Sequence, residues 1–411
     1  MTRQAIVDAT LPDGSRADVV IDGERVVEVG PGLGAAVEAQ VDAAGGLLLP
    51  AYIDTHIHLD KVLIRDQLVE HDGTLRGAID AIHAAKRAYT VDDVRRRAGE
   101  VIRWSVLTGT TRLRSHVDVD TVGGLVPLEG VLAAARDCAG IAEVRTIAFP
   151  QEGILRDPGA AELMVAAMEA GADVVGGMPH WEQGEDDQRE HVRWCFELAR
   201  RFDADVDMHV DETDDGSVRT LAMVVDETER TGWHGRVTVG HVCALSAADE
   251  DYAARVIAGC ARAGIVVVSN PVTNLVLQGR GDRGLVRRGT TRVRELLAAG
   301  VGVAFGQDCV QDGFYPFGRG DLLEVALVSA HAAQLTTTAE LQQALAAVTT
   351  VPATSWRLGN DYGVSPGARA DLQLYAAAGW PEVLRLQDAP RQVWFRGRTV
   401  ARTTVRRELL S

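Results

Sequence analysis

Ile53-Asp54-Thr55-His56-Ile57-His58 marks the point where the character of the chain changes. Upstream, Ala5-Ile6-Val7, Ala17–Ile21 and Val26–Val29 read as short β-type runs, with Asp22-Gly23 as a turn and a Gly-rich stretch over Gly30–Gly34. Downstream, short apolar runs alternate with long amphipathic segments, the signature of βαβ units. The candidate strands are Ile53–His58, Thr111–Val117, Arg145–Phe149, Asp173–Gly177, Asp205–His209, Arg236–His241, Ile265–Ser269 and Val301–Phe305. Between them lie helical segments such as Val91–Leu107, Ala160–Ala170, Gln188–Arg201 and Ala248–Ala263. Eight strand–helix units predict an α/β fold, a (β/α)8 TIM-type barrel over 51–350. After residue 350 short strands return at Asp371–Tyr375, Gln392–Phe395 and Thr399-Val400. The two chain ends, 1–50 and 351–411, are expected to pair into one small β-sandwich subdomain.

Composition narrows the function. The net charge of −16 over 411 residues repels phosphate backbones and anionic lipid, so neither a nucleic-acid polymer nor a membrane is the expected partner. The five cysteines form no C-x-x-C pair and no disulfide framework. Met1–Asp8 carries no basic segment followed by an apolar run, so a cytoplasmic location is expected.

In such barrels chemistry sits at the C-terminal ends of the strands. Strand one ends in His56-Ile57-His58, and alternation puts both imidazoles on one face, within reach of one metal. A lone His-x-His is weak, because satisfied core histidines are common. The set is stronger: strand five ends at His209, strand six at His241, and strand eight runs into Asp308. Three imidazoles and a carboxylate suit one divalent ion, Fe2+ or Zn2+. Glu212, three residues past His209, is the candidate general acid/base, set against the plain reading of an exposed loop carboxylate. His71, His83, His191, His234 and His331 read as surface or packing residues. No lysine stands at the end of strand four, Gly176–His180, where two-metal relatives of this barrel type generally carry a carboxylated one, so one metal is expected.

The chain resembles the cytosine deaminases of the amidohydrolase superfamily. The resemblance is carried by His56-Ile-His-Leu-Asp60, Ser115–Asp120, Ala148–Gly153, Gly176–Glu182, His209-Val-Asp-Glu212, Gly240-His241, Asn270–Asn274 with Leu277–Arg280, and Gly306–Cys309 with Tyr315–Gly318. It spans nearly the whole barrel in order. It implies that His56, His58, His209 and Asp308 hold the metal, and that Glu212, His241 and Asp308 handle protons. Gln151 would bond the carbonyl and amide edge of a substrate ring walled by Phe149 and Phe314. The implied activity is hydrolytic deamination of a free cytosine-like base, cytosine or a 5-substituted cytosine. Isoguanine, an aminotriazine or an N-alkyl aminotriazine is the alternative, and a homo-oligomer is implied. The family's cytosine enzymes carry a histidine before the barrel-end aspartate and an aspartate or serine after it, where this chain has Gln307-Asp308-Cys309. Cys309 cannot reproduce an aspartate's charge or hydrogen bonds, so a pocket tolerating a C5 substituent is expected.

Overall fold

The computed structural model describes residues 3–68 and 75–410; His71 lies outside them. Eight parallel strands form one sheet in sequential order: Tyr52–Ile57, Thr110–Asp118, Glu143–Phe149, Val174–Gly177, Asp205–Val210, Val237–His241, Val266–Ser269 and Gly302–Phe305. The eighth returns to the first through a parallel bridge between Ile57 and Asp308. The fold is the expected (β/α)8 barrel, and the strand bounds differ from the sequence reading by one or two residues. Runs such as Val174-Val175 and Val266-Val267-Val268 are buried along their length, as strands covered on both faces must be.

Helices fill the intervals. Val91–Leu107 starts at Thr90, whose hydroxyl accepts a hydrogen bond from Asp93 N at 3.2 Å. Val94, Ala98, Val101, Ile102 and Val106 are buried along one stripe of it, facing the core. Truncating Ile102 to alanine costs about 2–5 kcal/mol. The helix stops before Gly109, where φ is +102° and an added Cβ would strike the Gln373 amide.

The chain ends form the expected sandwich. One sheet holds Gln4–Thr10, Arg16–Asp22, Arg25–Gly30 and Ala39–Asp42; the other holds Leu48–Pro50, Leu372–Leu374, Gln392–Phe395 and Arg398–Arg402. Antiparallel pairing of Leu372 with Pro50 joins the ends, and Ile6, Val19, Ile21, Leu48, Leu372, Leu374 and Trp394 share one core. Sequence reading did not anticipate the helix Trp380–Leu386 in this part of the chain. Among the described residues no helix is long and apolar enough to cross a membrane.

Candidate active site

Barrel closure and site assembly are one event. Asp308 N donates to His56 O at 2.6 Å and His58 N to Asp308 O at 3.1 Å, so strands one and eight meet at the candidate ligands. Asp308 has φ +63° and His241 φ +69°. Left-handed backbone at non-glycine residues is strain of the kind that gathers at functional sites.

His56 Nε2 and His58 Nε2 lie 3.6 and 3.3 Å from Asp308 Oδ1, and His58 Nε2 lies 3.1 Å from His209 Nε2. One ligand atom each from His56, His209, His241 and Asp308 fits within 4.8 Å of the others. The four sequence-predicted ligands are thus brought together, with His241 beside them. Glycines make the room: a Cβ on Gly240 would lie 2.6 Å from His56 Cε1, and one on Gly306 would lie 2.7 Å from His56 Cβ.

A divalent cation fits this donor set. Both ring nitrogens of His56, the Nδ1 atoms of His58 and His209, and Asp308 Oδ2 are buried without hydrogen-bond partners. Such orphaned groups are costly unless something binds them. Burial pushes His56 down to about 4 and His209 well below its ordinary value, so both are neutral donors at pH 7. Burial opposes ionisation of Asp308, but the neighbouring imidazoles, that of His241 first and then those of His56 and His58, hold it well below the usual carboxylate range. Two further clusters, His56/His116/Asp207 and His58/Asp60/Asp118, have compatible spacing. In each, one carboxylate already faces a cation: Asp207 faces Arg114 at 3.2 Å, and Asp118 faces Lys61 at 2.8 Å and Lys86 at 2.5 Å, while Asp60 Oδ1, Asp207 Oδ1 and both ring nitrogens of His116 are buried without hydrogen-bond partners.

A cavity of about 370 Å³ opens above the cluster. His58, His209, Asp308, Glu212, Gln151, Cys309 and Phe314 line it. Glu212 is fixed by Asn274 Nδ2 at 2.9 Å and lies 3.2 Å from His241 Nδ1. Burial raises its carboxyl. This is a held side chain, not a free loop carboxylate. His241 Nδ1 is also 3.1 Å from Asn274 Oδ1.

Phe149 departs from expectation. It is fully buried and stacks on His209 with ring centroids 4.1 Å apart, so it backs the imidazole instead of walling the cavity. His83 also departs. It lines the cavity and meets Glu152 at 2.6 Å. His191 is a packing residue, bonded to Glu182 at 2.7 Å and to Met178 N at 2.9 Å, while His234 and His331 are exposed. Sequence reading gave no role to Lys61, His116 or His180. Lys61 follows the His-x-His-x-Asp run directly, and His116 lies two residues before the end of the next strand, Thr110–Asp118. Both signals were visible, but a lone lysine or histidine carries little weight.

The model of the amidohydrolase family matches residues 132–401. A pterin deaminase of Rhizobium rhizogenes is 32% identical over 393 residues, covering 94% of this chain and 88% of that protein. The chain belongs to the amidohydrolase family. The structure of 5-methylcytosine deaminase from Klebsiella pneumoniae liganded with 5-fluorocytosine is 33% identical, with TM-score 0.94 and 99% of each chain covered. That of N-isopropylammelide isopropylaminohydrolase from Burkholderia multivorans is 31% identical, with TM-score 0.87 over 98% and 99% of the two chains. Within its family this chain is a hydrolytic deaminase of the cytosine deaminase group.

Proposed function

We propose that the protein deaminates a free cytosine-like base, with 5-methylcytosine or another 5-substituted cytosine as substrate. The observation that carries this is the cluster of neutral imidazoles and one ionised carboxylate at the floor of a cavity rimmed by Glu212, Gln151 and Cys309. His56, His58, His209 and Asp308 would hold one divalent ion, Fe2+ or Zn2+. When bound, such an ion lowers the pKa of water to about 7 and so supplies a nucleophile at neutral pH.

The chain's own residues handle the protons. Water oxygen adds to the amino-bearing ring carbon. Asp308 and His241 take up a proton from that water. Glu212, its carboxyl raised by burial, delivers one to the adjacent ring nitrogen as the C=N bond opens. The proton taken from the water then passes to the amino group, the C–N bond breaks, and ammonia leaves as the hydroxyl proton returns to Glu212 and the carbonyl forms. One water is consumed and one ammonia released.

Cys309 is buried at the cavity, where its thiol lies 3.8 Å from Asp308 Oδ1 and also meets the Asp312 carboxylate. A thiol there leaves apolar space where a carboxylate would reject a methyl group. The likeness to 5-methylcytosine deaminase supports the same substrate. A second reading, a bicyclic aminopteridine, is favoured by a cavity larger than one pyrimidine needs and by the pterin deaminase relative. Steady-state kcat/KM on cytosine, 5-methylcytosine, pterin and N-isopropylammelide separates these. A strong preference for unsubstituted cytosine refutes the role of Cys309, and pterin as best substrate selects the second reading.

A further inference from the structure

Lys61 is 1% exposed yet lines the cavity. Taking an ammonium out of water costs several kcal/mol unless its donors are met. Its Nζ donates to Asp118 Oδ1 at 2.8 Å and to Gln151 Oε1 at 2.9 Å. An ammonium has three N–H donors, and among the described residues no third acceptor engages this one. Lys61 Nζ lies 5.9 Å from the centroid of Phe314, which lines the same cavity, and 5.9 Å from that of Phe149. The charge is buffered from behind: Asp118 is shared with Lys86 at 2.5 Å, and Lys86 also meets Asp120 at 2.6 Å.

The contact with Gln151 settles which way that amide faces. With Oε1 accepting from Lys61, Nε2 is the end left for a ligand, and its hydrogen-bond partner among the described residues is the Met178 sulfur at 3.4 Å. A thioether is a weak acceptor that a ligand oxygen displaces readily. Lys61 and Gln151 therefore offer N–H donors side by side at the cavity wall.

We propose that Lys61 is a substrate-binding residue which, with Gln151 Nε2, reads a ring carbonyl oxygen conjugated to the amidine under attack. The proposal rests on the deaminase function above and deepens it: the substrate must be an oxo-amino-heterocycle, not a simple aminopyrimidine. Addition of water to the amidine carbon moves electron density through the ring nitrogen towards that oxygen. A fixed cation beside the oxygen stabilises the developing charge more than the ground state.

The test crosses enzyme and substrate. Wild type and Lys61→Met are assayed on cytosine against 4-aminopyrimidine, and on pterin against 2-aminopteridine. A lost hydrogen bond from a charged group lowers kcat/KM on the oxo substrates by roughly 10- to 150-fold. On the rings lacking oxygen the two enzymes should agree within about 2-fold, as independent perturbations do. An equal loss on both kinds of ring makes Lys61 structural and overturns the proposal. Lys61→Met/Asp118→Asn, which removes the charge pair together, repeats the cycle if the single variant folds poorly. Calorimetry provides an arm free of turnover. Tighter binding of 2-pyrimidinone than of pyrimidine to wild type, lost in Lys61→Met, supports the role of Lys61, and a preference that is absent from wild type or unchanged in the variant overturns it. Absence of ammonia from every amino ring would refute the deaminase function alone, with calorimetry still deciding the role of Lys61.

Discussion

His58 and Asp308 are joined twice, by a backbone hydrogen bond of 3.1 Å from His58 N to Asp308 O and by a side-chain approach of 3.3 Å from His58 Nε2 to Asp308 Oδ1. The contact that closes the barrel is also the contact that builds the site. A change that loosens the junction of strands one and eight therefore acts on chemistry as well as on stability.

Gly240 is the most sensitive neighbour of that junction. A methyl group there would lie 2.6 Å from His56 Cε1 and 2.8 Å from Nδ1. Gly240→Ala should push His56 off its position, cost about 1–3 kcal/mol by overpacking, and weaken metal retention. Thermal melts and metal content after dialysis check both effects. Unchanged metal content would show that the added methyl group leaves His56 in place.

Glu212 is held by Asn274 and lies beside His241. Glu212→Gln keeps the shape and removes the titrating proton, so kcat should fall about 10²- to 10⁴-fold with metal content unchanged. Asn274→Ala should give a smaller loss, because it frees the carboxylate without removing it. Single-turnover assays with metal analysis distinguish the two.

Glu182 anchors the loop that carries Gln151. Its carboxylate accepts from Ile154 N at 2.6 Å and from Leu155 N and Arg156 N at 3.1 Å each, and it pairs with His191. Burial opposes its ionisation, but these bonds, that of His191 foremost, hold it below its ordinary value of 4.5. A depressed carboxylate contributes stability that is present above the unfolded value and lost as pH falls through the folded one. The Tm gap between wild type and Glu182→Gln should be widest above pH 4.5 and shrink on acidification. A gap that grows with acid would reverse the assignment.

Arg114 and Asp207 form a buried pair inside the barrel, at 3.2 Å, with Arg114 Nη2 also donating to Ser355 O at 2.8 Å. Arg114→Met strands a buried carboxylate and should cost about 3–5 kcal/mol. Arg114→Met/Asp207→Asn should recover part of that in denaturant melts.

The barrel was legible because its strands are buried on both faces and bounded by amphipathic helices. Arg236–His241 in sequence became Val237–His241 in structure, and Val91–Leu107 was unchanged. That His56, His58, His209 and Asp308 come together was legible because strand ends converge in this fold. Lys61 was not, because its burial depends on Asp118 and Gln151, which other strands supply. Phe149 was misplaced because strand order alone does not say whether an end residue turns to the cavity or packs behind a neighbouring imidazole. The helix Trp380–Leu386 was hidden by its length and by Pro381 in its first turn.

The most direct measurement is the metal-to-protein ratio, by elemental analysis, of wild type and of His56→Ala, His209→Ala and Asp308→Ala. One equivalent of a divalent transition metal in wild type, lost in each variant together with ammonia release, is the predicted result. A wild type that deaminates with no bound metal, or an Asp308→Ala that keeps both ion and activity, would contradict it.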